Sequence, residues 1–201
     1  MIAKDRKSHI IQKAIEYFST YGFSASTREI AKHCGFTQPL IYHYFGSKES
    51  LIEHVHQEVF YQRWNPNWET NLLNTDLPLE ERLVAYLEDY TNSILKNDWV
   101  RLFVFSALNN PNLNQNYTNL LKTKIFIPFL TQLRSELGLN SKPTDMDIEL
   151  FWGFHSSFFY MGMRQWVYKM DVPKNISEII KTKVRHFLLG YKLMYKIEKD
   201  L

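Results

Sequence analysis

Apolar residues recur every three or four positions along most of the chain, which is the spacing of one face of an α-helix. The first such segment, residues 5–22, carries this spacing at Ile10, Ile11, Ala14, Ile15, Phe18 and Tyr21. The sequence contains no hairpin pattern of alternating apolar and polar residues, and no internal repeat. The pattern predicts an all-α protein of about nine helices.

Helix-capping residues and glycines mark the ends of the first four predicted helices. Residues with short polar side chains precede the second, third and fourth helices: Ser26 or Thr27, Thr37 and Ser47. Glycines, which tolerate the backbone conformation that ends a helix, follow the first three: Gly22, Gly35 and Gly46. Two short helices joined by a glycine turn predict a helix-turn-helix over residues 27–45, within an N-terminal three-helix bundle.

The rest of the chain predicts five longer helices separated by polar or proline-containing segments. Their approximate ranges are 78–96, 98–108, 117–137, 144–170 and 176–198. Trp64–Leu77 is predicted to be a connection and residues 109–116 a polar loop, while Pro128 predicts a kink inside its helix. We therefore expect two domains, a DNA-binding segment over residues 1–50 and a helical body over residues 51–201.

The positive charge of the chain is concentrated in its first quarter. The formal net charge is +3, and residues 1–50 hold seven Lys and Arg against four Asp and Glu, which already gives this excess. A basic N-terminal segment on a neutral body indicates a polyanionic partner for that segment. Chance clustering of a few lysines is the alternative interpretation.

Several classes of protein are disfavoured by the composition. Cys34 is the single cysteine, so an intramolecular disulfide is impossible, and a small core residue is a better interpretation of it than a redox sensor. The sequence shows no secretory signal and no apolar run long enough for a membrane span. His54 and His56 are two residues apart and lie on different helix faces, so we expect no metal site. We expect a cytoplasmic protein without a cofactor or a membrane partner.

The second helix of the helix-turn-helix offers side chains suited to a DNA groove. Ile41 and Phe45 are four residues apart and are predicted to face inward, against a first helix that presents Ile30 and Ala31. The outward-facing positions carry the side chains that could contact DNA bases or phosphates. Gln38 matches adenine, Pro39 and Leu40 can contact a thymine methyl group, and Tyr42 and Lys48 can bind phosphates.

Each of these residues also has a structural interpretation. Tyr42 could pack against the first helix, Lys48 could be a solvated lysine, and Gln38 could be an ordinary surface residue. His43 lies at the rim, where either a base contact or none is compatible with its position. A helix-turn-helix spacing alone therefore leaves DNA binding open.

A longer sequence pattern, which includes both helices of the helix-turn-helix, distinguishes between these interpretations. The run I-A-x-x-x-G-F-T-Q-P-L-I-Y-H-Y-F-x-S-K-E-x-L, from Ile30 to Leu51, resembles the signature of TetR/AcrR-type transcription regulators, and the resemblance extends over Ile10–Val55. It implies a homodimer whose two DNA-binding segments lie one helical turn of DNA apart. It also implies DNA contacts from the matching residues Arg28, Thr37, Gln38, Pro39, Tyr42, Tyr44 and Lys48, and release from DNA when a ligand binds the body.

For the body, the resemblance assigns the helices over 144–170 and 176–198 to the dimer interface; completion of the subunit core is the alternative. The remaining helices are expected to enclose a pocket for a small apolar or aromatic effector. The candidate wall residues are Trp99, Phe103, Phe126, Phe129, His155, Phe158 and Trp166, with Arg101, His155 or Arg164 as a polar anchor. Ordinary core packing is the alternative for every one of them.

The function predicted is that of a homodimeric DNA-binding transcription regulator, a repressor released from its operator by a small, largely apolar effector. The alternative is a constitutive or partner-regulated DNA-binding protein without a small-molecule switch. A helical enzyme is disfavoured, since Ser156 and Ser157 beside His155 point to different faces of a helix and lack an acidic partner residue.

Overall fold

The computed structural model describes residues 3–139 and 141–197, with side chains over 6–139 and 141–195. These residues form eleven α-helices and three π-helical turns, and no β-strand occurs within the two described ranges. The all-α prediction is confirmed. The helices are α1 Ala3–Tyr21, α2 Thr27–Cys34, α3 Gln38–Phe45, α4 Lys48–His56, α5 Asn67–Leu72, α6 Leu79–Ile94, α7 Asn97–Asn109, α8 Pro111–Leu121, α9 Ile127–Glu136, α10 Asp145–Gly162 and α11 Ile176–Ile197.

The helices pack into two compact units. The N-terminal unit contains the chain up to Trp64 together with Lys96–Tyr117, and the C-terminal unit contains Asn65–Leu95 and the described chain from Thr118 onward. The functional division into residues 1–50 and 51–201 stays a prediction.

The N-terminal unit is built around α1, which buries Ile10, Ala14 and Phe18. Helix α7 packs along α1 although it lies some eighty residues later in the chain. Arg101 of α7 donates hydrogen bonds to the carbonyls of Ser19 and Thr20, and the bond to Thr20 is 3.0 Å long. Arg101, one of the predicted pocket anchors, therefore caps the last turn of α1, where carbonyl groups lack partners within the helix.

Two helices lie where the sequence predicts irregular chain. Helix α5 lies in the predicted connection, and its formation is explained by the burial of Trp68 and Leu72, because short helices depend on tertiary packing. Helix α8 begins at Pro111, inside the predicted polar loop. Proline is well suited to the first position of a helix, where the missing N–H group has no partner to lose.

The helix predicted over 117–137 is divided by a π-helical turn over Lys122–Phe126, directly before α9, and the kink expected at Pro128 stays a prediction. Pro128 cannot donate to the carbonyl four residues earlier, and its ring crowds that carbonyl. The other two π-helical turns extend α4 over Gln57–Tyr61 and α10 over Met163–Val167. The helix predicted over 144–170 is thus observed up to Val167, and residue 198 of the last predicted helix lies outside the described residues.

A buried polar network fixes the start of α10 in the C-terminal unit. Thr144 caps this helix in a reciprocal arrangement with Asp147, which is fully buried. Arg134 of α9 donates to Asp147 at 2.8 Å, and Tyr191 and Tyr195 of α11 donate to its other oxygen at 2.6 and 2.5 Å. The carboxylate of Asp147 therefore joins α9, α10 and α11. Among the described helices, none has the length and apolar character needed to cross a bilayer.

Candidate nucleic-acid interface

The first helix of the predicted helix-turn-helix is α2, and it is held at both ends. Ser26 accepts from the backbone N–H of Glu29 at 3.3 Å, while the Glu29 carboxylate accepts from the Ser26 N–H at 2.7 Å. Gly35 ends the helix with a φ of 72°, a backbone conformation that side chains disfavour. Because Ser26 is the cap, Thr27 becomes the first residue of the helix.

The inner face of this motif is apolar and closed. Ile30, Ala31 and Ile41 are almost completely inaccessible to solvent, and Phe45 is buried at the end of α3. Cys34 is also buried, and this burial raises the pKa of its thiol to about 11. The residues expected to brace α3 against α2 therefore do so, and Cys34 lies with them in the core.

The outer face of α3 is accessible. Among the nine predicted DNA-contacting residues, five are exposed: Arg28, Thr37, Pro39, Tyr42 and His43. The other four are half-buried: Gln38, Leu40, Tyr44 and Lys48. Tyr42 exposes 45% of its surface, so packing against the first helix of the motif leaves much of this side chain accessible. The structure thus brings all nine residues to accessible positions of α2, α3 and the start of α4.

A hydrogen-bonded group that the sequence does not reveal joins α2 to this outer face. The Gln38 side-chain amide donates to the Thr27 hydroxyl at 2.9 Å, and the Tyr42 hydroxyl lies 3.2 Å from the same oxygen. The sequence predicts for Thr27 only the role of a possible helix cap. Its partners are eleven and fifteen residues away, and no sequence spacing marks such a pairing.

The charges around α2 and α4 are partly compensated. Hydrogen bonds from Ser26 hold the pKa of the Glu29 carboxyl below its usual value, with a smaller contribution from the charge of Lys48. Ser47 caps α4 by accepting from the N–H of Ser50 at 3.0 Å, as predicted. Lys48 is therefore the first residue of α4, where the helix dipole and a cationic side chain together favour an anion.

Helix α4 is also tied to α1. The Lys7 ammonium lies 2.9 Å from His54 Nε2, and His54 Nδ1 lies 2.7 Å from the carbonyl oxygen of Ser50. Since an ammonium group can only donate, Nε2 of His54 is the acceptor and Nδ1 carries the hydrogen. His54 is thus engaged on both ring nitrogens.

Two of the predicted pocket residues lie in the N-terminal unit. Trp99 and Phe103 stack on each other, with ring centroids 5.0 Å apart and planes inclined by 8°. Both also contact Phe60 and Tyr117 edge-on, with ring centroids 5.0 to 6.1 Å apart. These rings form one aromatic cluster.

The other five predicted pocket residues lie in the C-terminal unit, where Phe126, Phe129, His155 and Phe158 are buried. Phe126 lies 4.8 Å from the His155 ring, and His155 Nε2 lies 2.9 Å from the Tyr86 hydroxyl. Burial lowers the pKa of His155 to about 3. Trp166 donates from its indole to the carbonyl of Leu95 at 3.2 Å. Whether any of these residues lines a ligand cavity stays a prediction.

Comparison with known proteins agrees with this geometry. Residues 10–55 match the family described as bacterial regulatory proteins, tetR family. The sequence gives no significant match among curated proteins. Three similar solved structures are a TetR-like transcriptional regulator from Rhodococcus sp. RHA1, AmtR from Mycobacterium smegmatis and a tetR-family transcriptional regulator from Streptomyces coelicolor.

The similarity extends over nearly the whole chain although the sequences have diverged. The Rhodococcus protein has a TM-score of 0.65 and 18% identity, covering 94% of this chain and 99% of its own. AmtR has a TM-score of 0.64 and 20% identity, covering 94% of this chain and 86% of its own. The Streptomyces protein has a TM-score of 0.62 and 22% identity, covering 98% of this chain and 86% of its own. The chain therefore has the all-helical fold of these regulators, and its residues 10–55 match the sequence pattern of the tetR family.

Proposed function

We propose that this chain is a homodimeric transcription regulator that inserts α3 into the major groove of an operator. The observation that carries the proposal is the two-faced character of α3. Ile41 and Phe45 are buried against the unit, while Tyr42 and His43 are exposed on the opposite side. A helix braced from behind, with polar and aromatic side chains outward, is the arrangement by which helix-turn-helix proteins read DNA.

The side chains on the outer face of α3 and beside it fall into two groups, those that can contact bases and those that can bind phosphates. The amide of Gln38 can pair with adenine, and Pro39 and Leu40 provide apolar contacts for a thymine methyl group. Tyr42 and Lys48 offer a hydroxyl and an ammonium group for phosphates, and Arg28, Thr37, His43 and Tyr44 complete the predicted contact set. Base contacts give sequence preference, whereas phosphate contacts give affinity that depends on salt.

A homodimer is supported by an exposed apolar face on α10 and α11. Large apolar side chains on these two helices expose between 40% and 62% of their surface: Met146, Leu150, Tyr160, Leu189 and Leu193. Gly153 and Gly190 are exposed on the same sides, and among the described residues nothing lies within 4 Å of a Cβ added to either. Small residues beside apolar ones allow close helix approach, and a second copy of the chain would cover this face.

We propose further that a small, largely apolar effector releases the repressor from DNA. The support is the aromatic interior of both units, and the mechanism requires the effector to prefer a conformation in which the two α3 helices no longer match half-sites about 34 Å apart. A constitutive or partner-regulated DNA-binding protein is the second candidate. The close ring packing of Phe126 and Phe129, which both contact Phe151, favours this candidate.

The DNA-binding proposal is tested by selecting binding sequences from random duplexes and measuring affinities by fluorescence anisotropy over a range of salt concentrations. The wild-type protein should select a palindromic sequence. Lys48→Ala should weaken binding to all sequences and reduce the salt slope by about one, whereas Gln38→Ala should relax preference at one base pair. Lys181→Ala, which removes an exposed lysine from α11, is the control. Binding without any selected sequence would overturn the proposal.

The dimer is tested by sedimentation velocity. Leu150→Glu places a charge on the exposed face of α10 and should convert the dimer to a monomer. Leu108→Glu, at an 83% exposed residue of α7, is the matched control and should leave the dimer intact. A wild-type protein that sediments as a monomer at micromolar concentration would exclude this part of the proposal.

A further inference from the structure

Two side chains on the outer face of α3, Gln38 and Tyr42, share one buried hydroxyl group. Thr27 is the first residue of α2 and exposes only 6% of its surface. Gln38, the first residue of α3, donates to its oxygen at 2.9 Å, and the hydroxyl oxygen of Tyr42, one turn later in α3, lies 3.2 Å from it. Thr27 itself is too enclosed to be a main reading residue, yet it contacts one residue of each proposed class, base-reading and phosphate-binding.

The hydrogen-bonding capacity of a hydroxyl group limits how these contacts are arranged. A threonine hydroxyl has one hydrogen and two lone pairs. The Gln38 amide is the donor in its bond, so it occupies one lone pair of Thr27. When the Thr27 hydrogen points to the oxygen of Tyr42, the O–H group of Tyr42 stays available to donate to an external acceptor such as a phosphate oxygen. The three groups then form a directed chain, from Gln38 through Thr27 to Tyr42, in which each bond strengthens the next.

The same contact fixes the orientation of the Gln38 amide group. Its nitrogen lies toward Thr27, so its oxygen lies at the other end of the planar amide group, and its second N–H group remains for another acceptor. Adenine recognition requires one amide oxygen and one amide N–H group presented together. A long side chain that is already held in place loses less conformational freedom when it binds.

We infer that Thr27 is a positioning residue, which holds the Gln38 amide and the Tyr42 hydroxyl as one preorganised group for an adenine-containing base pair and its neighbouring phosphate. The inference rests on the proposed DNA-binding function and deepens it. Its consequence is that base preference at the Gln38 contact depends on a hydroxyl group that itself reads no base.

Thr27→Val tests this inference because valine has nearly the same shape and lacks the hydroxyl group. The measurement is the ratio of affinities for the selected operator and for its single base-pair variants, by fluorescence anisotropy at constant salt. Thr27→Val should lower this ratio about 5- to 10-fold at the base pair affected by Gln38→Ala, and less than about twofold elsewhere. Thr27→Ser, which restores the hydroxyl group, should keep the ratio within about twofold of wild type.

A double variant separates positioning from a general structural role. If Thr27 acts through Gln38, adding Thr27→Val to Gln38→Ala should change the preference at that base pair no further. An affinity ratio that Thr27→Val lowers equally at every base pair, or full additivity of the two substitutions in that ratio, would overturn the inference. A selective wild-type protein with an equally selective Thr27→Val variant would also overturn it, while leaving DNA binding intact. A wild-type protein that selects no sequence would instead overturn the proposed function.

A second measurement does not depend on the stability of the valine variant. In the free wild-type protein, one side-chain amide proton of Gln38 should exchange with water more slowly than the other, as observed by nitrogen-15 NMR. The Thr27→Ser variant should keep this difference. Equally fast exchange of both protons in the wild-type protein would show that the hydrogen bond is not maintained in solution, and would refute the inference.

Discussion

Replacement of Asp147 by asparagine should strongly destabilise the C-terminal unit, although the two side chains have nearly the same shape. The buried carboxylate accepts from Arg134 and from both the backbone N–H and the hydroxyl of Thr144 on one oxygen. Its other oxygen accepts from Tyr191 and Tyr195. An asparagine has only one accepting oxygen, so one of these two sets of donors must face an NH₂ group.

The smaller of the two losses sets the expected magnitude. If the NH₂ group takes the tyrosine side, two hydrogen bonds to a charged group are lost, each contributing roughly 1.5–3 kcal/mol. The same substitution removes the countercharge of Arg134, which is 4% exposed, and removal of one member of a buried ion pair costs about 3–5 kcal/mol. The two figures describe the same loss and are therefore not added. We expect Asp147→Asn to lower the free energy of unfolding by about 3–5 kcal/mol, which corresponds to roughly 10 °C in Tm.

The assay is urea denaturation at pH 7, with the slope against urea checked to be unchanged. Asp145→Asn is the matched control, because Asp145 is an exposed residue in the same first turn of α10 and contributes only through the helix dipole, about 0.3–1 kcal/mol. If Asp147→Asn and Asp145→Asn lower the free energy of unfolding by the same amount, the buried network does not stabilise the protein, and the reasoning from its hydrogen bonds is wrong.

The pH dependence gives an independent check on the same carboxylate. Burial alone would raise the pKa of Asp147, but the hydrogen bonds from Tyr191, Tyr195 and Thr144 outweigh it and hold the pKa below the ordinary 3.8. A carboxyl group with a lowered pKa in the folded state contributes stability above its unfolded pKa, and this contribution is lost as pH falls through the folded value. The difference between wild type and Asp147→Asn should therefore be constant near neutral pH and shrink below about pH 4.

Three further predictions follow from individual side chains. Gly22→Ala should lower the free energy of unfolding by about 1–3 kcal/mol, because Gly22 has a φ of 75° and the new Cβ would lie 3.1 Å from the Phe105 ring. Gly35→Ala is the control, since Gly35 has a φ of 72° but no described neighbour within 4 Å of an added Cβ. It should lower the stability less in the same thermal melts. Cys34, with its pKa raised to about 11, should resist alkylation by iodoacetamide at pH 8 in the folded protein and react on unfolding; rapid native-state reaction would contradict its burial. Burial lowers the pKa of His155 to about 3 from 6.5, so the unfolded state is the better proton acceptor. His155 should therefore lower the free energy of unfolding by up to about 1.4 kcal/mol per pH unit below pH 6.5, in addition to the contribution of His56, whose pKa burial lowers to about 4. His155→Gln should remove the His155 part of that slope in denaturation measured from pH 7 to 5.

The helices and the exposed outer face of α3 were largely predictable because both depend on local signals. The apolar periodicity predicted most of the helices, and the capping residues Ser26 and Ser47 predicted where α2 and α4 begin. Helix α5 was missed because its stability comes from burial of Trp68 and Leu72, which no local spacing reports. The start of α8 is ambiguous in the sequence, because Pro111 suits both a loop and the first position of a helix.

The parts of the site that were not predictable depend on contacts between distant segments. Thr27 and Gln38 meet only because the turn at Gly35 sets the angle between α2 and α3. The aromatic residues of the body illustrate the same limit. Apolar periodicity identifies Phe126 and Phe129 as inward-facing, but the sequence does not distinguish a ring that fills a core from one that borders a cavity.

The position of α7 against α1 affects how this protein can be divided for engineering. The chain passes between the two units at residues 64–65, 95–96 and 117–118, so a fragment ending at Trp64 would lack the guanidinium group of Arg101. Such a fragment would expose the side of α1 that α7 covers, together with the carbonyls of Ser19 and Thr20. An N-terminal unit transplanted from this protein therefore has to be assembled from two separate stretches of sequence, and a chimera joined at a single point would leave one side of α1 uncovered.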